Sequence, residues 1–295
     1  MTTAETELRL VPQPLETMNS LTLRIADHGI RLIFPDDSLI SSARDRYGGF
    51  LSNEEPDTVM AVSFPERLQP VVDAGVPWAR CATDDIRFGR NDLVAETDSS
   101  FGHVAVQMRT LVYTLDALLR IFYSIVLIRR GGLLLHAAAV GIDGRGAVFA
   151  GPTESGKSEL SHMEFGTHLT DELSPVRPQG HGFSVFGSPF WGLFEKGGYN
   201  RGLPLAGLFF LSRGPTRLER LSRALALPRL LRCVLNFSRE PEVVEAVMAN
   251  SARVLARVPH ASLVSPPDET LWPLVSGFLV FHRSGSDSAS LQEHV

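Results

Sequence analysis

One eight-residue run, Gly151-Pro152-Thr153-Glu154-Ser155-Gly156-Lys157-Ser158, fits the pattern GxxxxGK[ST]. The pattern constrains the chain around it as well as itself. Its glycines let the backbone curl so that successive N–H groups face a polyphosphate, and it works where a buried strand ends and a helix opens. Both flanks agree. Gly146-Ala147-Val148-Phe149-Ala150 is a short apolar run suited to a buried strand. Ser158 to Phe165 can be helical, with Leu160 and Met163 facing inward and Gly166 as a natural stop.

Composition sharpens the reading. Lys157 and Lys196 are the only lysines among 28 basic residues, so a sequence that otherwise uses arginine keeps a compact ammonium at this position. Gly151, Thr153, Glu154, Ser155, Gly156, Lys157, Ser158 and the next residue, Glu159, are the candidate contacts of a nucleoside triphosphate. In such loops the lysine reaches the outer phosphates and the hydroxyl meets Mg²⁺.

The chain has 295 residues, 44% of them hydrophobic, with a formal charge of −5 and a pI near 6.0. These values describe one large globular domain or two ordinary ones and exclude disordered and fibrous classes. There is no broad basic field, which argues against a nucleic-acid partner. Cys81 and Cys233 are too few for a disulfide framework or a zinc site and read as buried side chains. The polar start, Met1 to Glu7, is unlike a secretory peptide, and Leu118 to Ile128 is too short to span a bilayer. The expectation is a cytoplasmic protein with no membrane partner, with a homo-oligomer left open.

Leu21 to Ile25 and Ile30 to Phe34 alternate apolar and polar around Asp27-His28-Gly29, a hairpin signature. A helix or turn is expected over 38–47, a strand over 58–64, and small strands and loops over 65–98. Apolar spacing predicts a long helix from Val104 to Ile128. Leu133 to Val140 and the strand into the loop read as a second hairpin, turning at Asp143-Gly144. Strands are expected over 182–187 and 205–211, and helices over 217–233 and 241–256. The domains are drawn as an N-terminal, mostly β region over 1–103, with a role in binding an acceptor or partner; a nucleotide-binding domain over 104–283; and a polar tail over 284–295.

Phosphoryl transfer needs more than a phosphate loop. It needs a carboxylate to help hold the metal and, in a kinase, a group to take the acceptor's proton. Asp171 and Glu172, which follow the short step His168-Leu169-Thr170, are the best placed. The alternative for them is a polar loop or helix cap. His136 stands among aliphatic residues and, by itself, reads as a packed core histidine.

Taken together, His136, the hairpin, the loop ending Gly156-Lys157-Ser158-Glu159 and the pair Asp171-Glu172 resemble the catalytic domain of the HPr kinase/phosphorylase family. The run from Gly131 to Glu172 and the later Ser188-Pro189-Phe190-Trp191-Gly192 look closer still to HPr-kinase-like proteins found beside peptide-modification genes, some of them peptide serine kinases. The resemblance covers residues 105–275 and is specific over 131–172. It implies an α/β (α+β) fold with a P-loop core of the HPr kinase and phosphoenolpyruvate carboxykinase type. It also implies ATP and Mg²⁺ as cofactors and a peptide or small protein as phosphoacceptor. By the same resemblance Asp171 would be the base, His136 its neighbour in charge or position, Lys157 the phosphate-binding cation, and Ser158 with Glu172 or Glu159 the metal contacts. Glu195 would be a further acidic contact.

Three departures accompany it. Glu154 stands where the family has glycine, Glu172 replaces the family's second Asp, and the step from Lys157 to Asp171 is shorter by about one helical turn, roughly 5 Å of rise. The N-terminal region does not match the family's regulatory domain. The expected activity is an ATP-dependent, Mg²⁺-requiring kinase acting on a hydroxyl, serine foremost, of a peptide, small protein or metabolite. The alternative is a nucleotide-binding regulatory or assembly module without phosphoryl transfer.

Overall fold

A computed structural model of the protein describes residues 19–66, 68, 75–152, 155–161, 163, 165–191, 197–266 and 268–290, with the side chains of 158, 161 and 283–290 outside that description. The first strands are β1 (Ser20–Ile25) and β2 (His28–Ile33), followed by helix α1 (Ile40–Tyr47) and strands β3 (Thr58–Ser63), β4 (Trp78–Cys81), β5 (Ile86–Arg90), β6 (Leu93–Thr97) and β7 (His103–Met108). They form a seven-stranded sheet in the order β1-β2-β3-β7-β6-β5-β4. Its centre, β2-β3-β7, is parallel and the rest antiparallel. Leu21, Leu23 and Ile25 bury alternate positions of β1. The expected β1–β2 hairpin is present, but it turns at Ala26-Asp27, both with positive φ (51° and 54°), the conformation that matches the twist of paired strands.

Helix α2 (Val112–Arg129) follows. The expected helix begins later than the apolar spacing suggests, because His103–Met108 pairs as β7 with β3 and β6. Val104, Val106 and Met108 point to the core at a period of two. The first sheet therefore runs past residue 103 to Met108. From Thr114 to Ile128 nearly every residue of α2 is buried, the mark of a helix covered on all sides. It packs on β5 and β6 of the first sheet and on elements of the second. Its end is a reversal in which Gly131 adopts φ +79° and Gly132 donates to the Leu127 carbonyl at 2.7 Å.

The second half contains β8 (Leu133–Ile142), β9 (Arg145–Ala150), α3 (Lys157–Ser161), β10 (Thr167–Thr170), β11 (Leu173–Gln179), β12 (Gly182–Phe186), β13 (Gly202–Ser212), β14 (Arg217–Arg220), α4 (Arg223–Leu231), α5 (Pro241–Arg257), β15 (His260–Val264) and α6 (Trp272–Ser290). The sheet order is β10-β8-β11-β12-β13-β15-β14, with β9 paired to both β8 and β13. The long strands β8 and β13 each serve two sets of neighbours. β8 gives its first half to β11 and its second to β9 and β10, and β13 passes from β12 to β9 and β15. The strands β9, β13 and β15 are parallel.

Helices α4 and α5 cover one apolar cluster of this sheet, around Leu135, Val148 and Phe210. Helix α6 covers the other, where Phe149 and Phe209 stack 5.3 Å apart beneath Trp272. Residues 217–220, expected to be helical, form β14 because Leu218 pairs with Leu263 at the sheet edge. Helix α6 also carries the chain through 284–290 of the expected tail. The architecture is mixed α/β with two sheets. No helix among the described residues is long and apolar enough to cross a membrane.

Candidate active site

The β8–β9 hairpin pairs Ala137 with Ala150, so the next step outward sets His136 beside Gly151 at the mouth of the loop. On the other edge of β8, the break between β10 and β11 falls at Asp171-Glu172, where the Ala137 N–H donates to the Glu172 carbonyl at 3.0 Å. His136, Gly151 and the acidic pair thus share one line across three strands. Leu169, Thr170 and Ser188 brace the break: the Ser188 hydroxyl donates to the Leu173 carbonyl at 2.6 Å and lies 3.2 Å from the Thr170 hydroxyl.

The loop leaves β9 and turns into α3. Both signature glycines are demanded by geometry. Gly156 has φ +93°, and a Cβ on Gly151 would come within 2.6 Å of Ser155 Oγ and 3.1 Å of Leu211 Cβ. Lys157 is 6% exposed, and its Nζ donates to the Gly151 and Pro152 carbonyls at 2.9 and 2.8 Å. Burial lowers its pKa, opposed by Cys233 and Glu159. Ser155 is also buried, and its Oγ has no hydrogen-bond partner. The Cys233 thiol lies below the loop, raised in pKa by burial and drawn back by Lys157 and the Gly151 N–H. The Cys233 carbonyl accepts from the His136 N–H at 2.6 Å.

Asp171 is 2% exposed. Glu172 is half-buried, and both its carboxylate oxygens are taken by the Arg120 guanidinium at 3.0 and 2.9 Å. Arg120 also donates to Asp116 at 2.7 Å and to the Trp191 carbonyl at 3.3 Å. Asp116 in turn accepts from Arg46 at 2.9 Å and from the Tyr47 hydroxyl at 3.2 Å, while the Arg46 guanidinium lies 3.2 Å over the Trp191 ring. Burial is the largest influence on Arg120 and disfavours its charge. The Glu172 and Asp116 carboxylates outweigh it and hold the pKa above its ordinary value. His136 keeps an open face to solvent, yet the protein around it lowers its pKa, with Lys157 adding to burial and Glu172 opposing. Its imidazole is therefore neutral near pH 7.

The geometry brings His136, Lys157, Ser155 and the acidic pair to one end of the sheet. Glu159 is exposed on α3, and Ser158 is in α3 with its side chain outside the description. Thr153, Glu154 and Glu195 lie outside the described residues. The residues sequence reading missed are Arg120, Asp116, Arg46 and Cys233. The signal for Arg120 was available, as a lone arginine within the apolar run 118–128.

No protein-family model matches the chain, and no curated protein matches it. Among solved structures it is similar to that of the Hpr(Ser) kinase/phosphatase from Coxiella burnetii. The identity is 13% over 55% of this chain and 96% of the other, with a TM-score of 0.31.

Proposed function

We propose that the loop 151–158 binds a nucleoside triphosphate with Mg²⁺, and that the chain transfers the terminal phosphoryl group to a hydroxyl, that of a serine in a peptide or small protein foremost. The observation that carries this reading is the buried Lys157 ammonium beside the unpartnered Ser155 hydroxyl, in a glycine-dependent loop one strand from Asp171. Among the described residues the Lys157 ammonium bonds only to neutral carbonyls, with burial opposing its charge, and a polyphosphate would neutralise that charge. The residues fit such a ligand: loop amides and Lys157 for the phosphates, and Ser158 with an acidic neighbour for the metal.

The bound Mg²⁺–nucleotide would supply the phosphoryl group and neutralise part of its charge. Asp171 accepts the proton of the attacking hydroxyl. His136, neutral at pH 7, would offer a ring nitrogen to the acceptor without adding a second positive charge beside Lys157. Lys157 and the loop amides stabilise the charge on the group in transit. The P-loop core of the HPr kinase type, a cytoplasmic setting and an acceptor- or partner-binding role for the first sheet belong to the same proposal. The test is ADP formation in the presence of serine-containing peptides. Asp171→Asn should abolish it, by a factor of 100 or more, while nucleotide binding persists. Equal turnover in that variant would remove Asp171 from the role of base.

A second reading, a nucleotide-binding regulatory or assembly module without transfer, is favoured by one observation. Both oxygens of Glu172 are engaged by Arg120, which leaves the acidic pair one fewer open carboxylate for a metal. Tight nucleotide binding with no phosphate passed to any peptide would support it.

A further inference from the structure

A groove of about 600 Å³ opens at the far end of the second sheet, between β14, the start of α4, the end of α5, the start of β15 and α6. The parallel strands β9 and β15 fix its position. The phosphate loop leaves the carboxyl end of β9 at Gly151, while His260, which begins β15, is level with Val148 through their shared partner Leu208, so roughly 10 Å of strand and two strand spacings separate the two regions. The volume is within the range of small-molecule sites.

The groove has two kinds of wall. Arg220, Arg223, Arg257, His260 and His282 bring nitrogen donors, and Phe278 and Phe281 with Leu221 and Val258 bring apolar surface. Phe281 is 67% exposed. The one lining carboxylate, Glu219, is held by Arg217 at 2.6 Å, outside the cationic group. Among the described residues the guanidinium groups of Arg220 and Arg257 have no hydrogen bond or ion pair, and that of Arg223 has one bond, to the Ala256 carbonyl at 3.2 Å. His260 uses Nδ1 on the Val258 carbonyl at 3.0 Å, which leaves Nε2 as its remaining polar atom. Burial first, then Arg220 and His260, push the His282 pKa down, as positive charge close to the ring does. The amino end of α4 borders the same space, with its dipole favouring negative charge.

The described residues that line the groove include no carboxylate free to balance Arg220 and Arg257, since Glu219 is taken by Arg217, and an anion that also covers the rings would neutralise them. We propose that this groove is a second ligand site, separate from the phosphate loop, for a small organic anion with an aromatic or aliphatic body. The anionic group would lie among Arg220, Arg257 and His260, and the body against Phe278 and Phe281.

Naphthalene-2-sulfonate is a suitable probe, with 2-naphthol as its neutral counterpart, each titrated calorimetrically into the full chain at pH 7. Saturable one-to-one binding of the sulfonate is expected, at least tenfold tighter than that of 2-naphthol. The double variant Arg220→Ala, Arg257→Ala should weaken it at least tenfold with an unchanged melting temperature, since both side chains are exposed. Lys157→Ala should leave it unaltered. Absence of saturable binding, equal binding of 2-naphthol, full binding by the double variant, or loss in Lys157→Ala would each overturn the proposal.

Discussion

At the scale of single residues, His28 shows how a buried side chain ties stability to pH. Its Nε2 lies 3.0 Å from the Thr58 hydroxyl, and its ring packs on Phe122 and Tyr123 at 5.8 and 5.9 Å. Burial first, then the Arg130 charge, lowers its pKa from 6.5 to about 4, against the pull of Asp57. The folded value is below the unfolded one, so between those pH values the unfolded chain binds the proton first and stability falls as pH drops. The gap, at about 1.4 kcal/mol per pH unit, makes the loss on the order of 3 kcal/mol once pH reaches 4. Asp57 has a lowered pKa too, but its contribution is lost only below its ordinary 3.8, outside this window. Urea midpoints measured from pH 7 to 4 should fall steeply in the natural protein and much less in His28→Gln. His136 and His282, also lowered, account for the slope that remains. Equal slopes in both proteins would show that His28 is not the titrating group.

At the scale of elements, α2 joins the first sheet to the candidate site through one arginine. Arg120→Ala would leave the buried Asp116 and the part-exposed Glu172 without their shared cation, although Asp116 keeps Arg46. A loss of about 2 kcal/mol is expected, below the 3–5 kcal/mol of a fully buried pair because water still reaches the network. Arg120→Lys should recover less than half of it, since an ammonium cannot make the two parallel bonds to Glu172. Chemical denaturation of the three proteins measures this, and full recovery by lysine would mean that charge alone suffices. The same element shows what was legible in the sequence. Local signals were legible there: the two hairpins, the strand that ends at Ala150 and the helix that opens at Lys157. The Arg120–Glu172 pairing was not, because 52 residues separate the partners and no local pattern links them. Residues 104–108 suit the start of a helix as well as a strand, because Val104 and Val106 can join Leu111 and Leu115 in one apolar series. The four residues of β14 were too few for a period of two to stand out.

At the scale of the whole molecule, the largest apolar cluster ignores the division between the sheets. It contains Leu23, Ile30 and Phe88 from the first, Phe122 and Tyr123 from α2, and Leu134, Leu173 and Phe190 from the second half. The Tyr123 hydroxyl donates to the His28 carbonyl at 2.9 Å, and Asn250 on α5 donates to the Ile128 and Gly132 carbonyls that end α2. Elements that share a core should unfold together. Thermal unfolding followed by far-ultraviolet circular dichroism and by tryptophan fluorescence is expected to give one coincident transition. Phe122→Ala should lower stability by about 3–5 kcal/mol without splitting it. Two separate transitions would contradict a common core.

The two ends of the second sheet carry the two proposed ligand sites, and the phosphate loop is the one on which the proposed activity rests. A calorimetric titration of Mg²⁺–ATP into the natural protein, Lys157→Ala and Asp171→Asn tests it most directly. Binding at micromolar concentrations by the natural protein, at least tenfold weaker in Lys157→Ala and retained in Asp171→Asn, is the expected result. Binding of equal strength in Lys157→Ala, or none in the natural protein, would contradict the assignment of the loop as a nucleotide site.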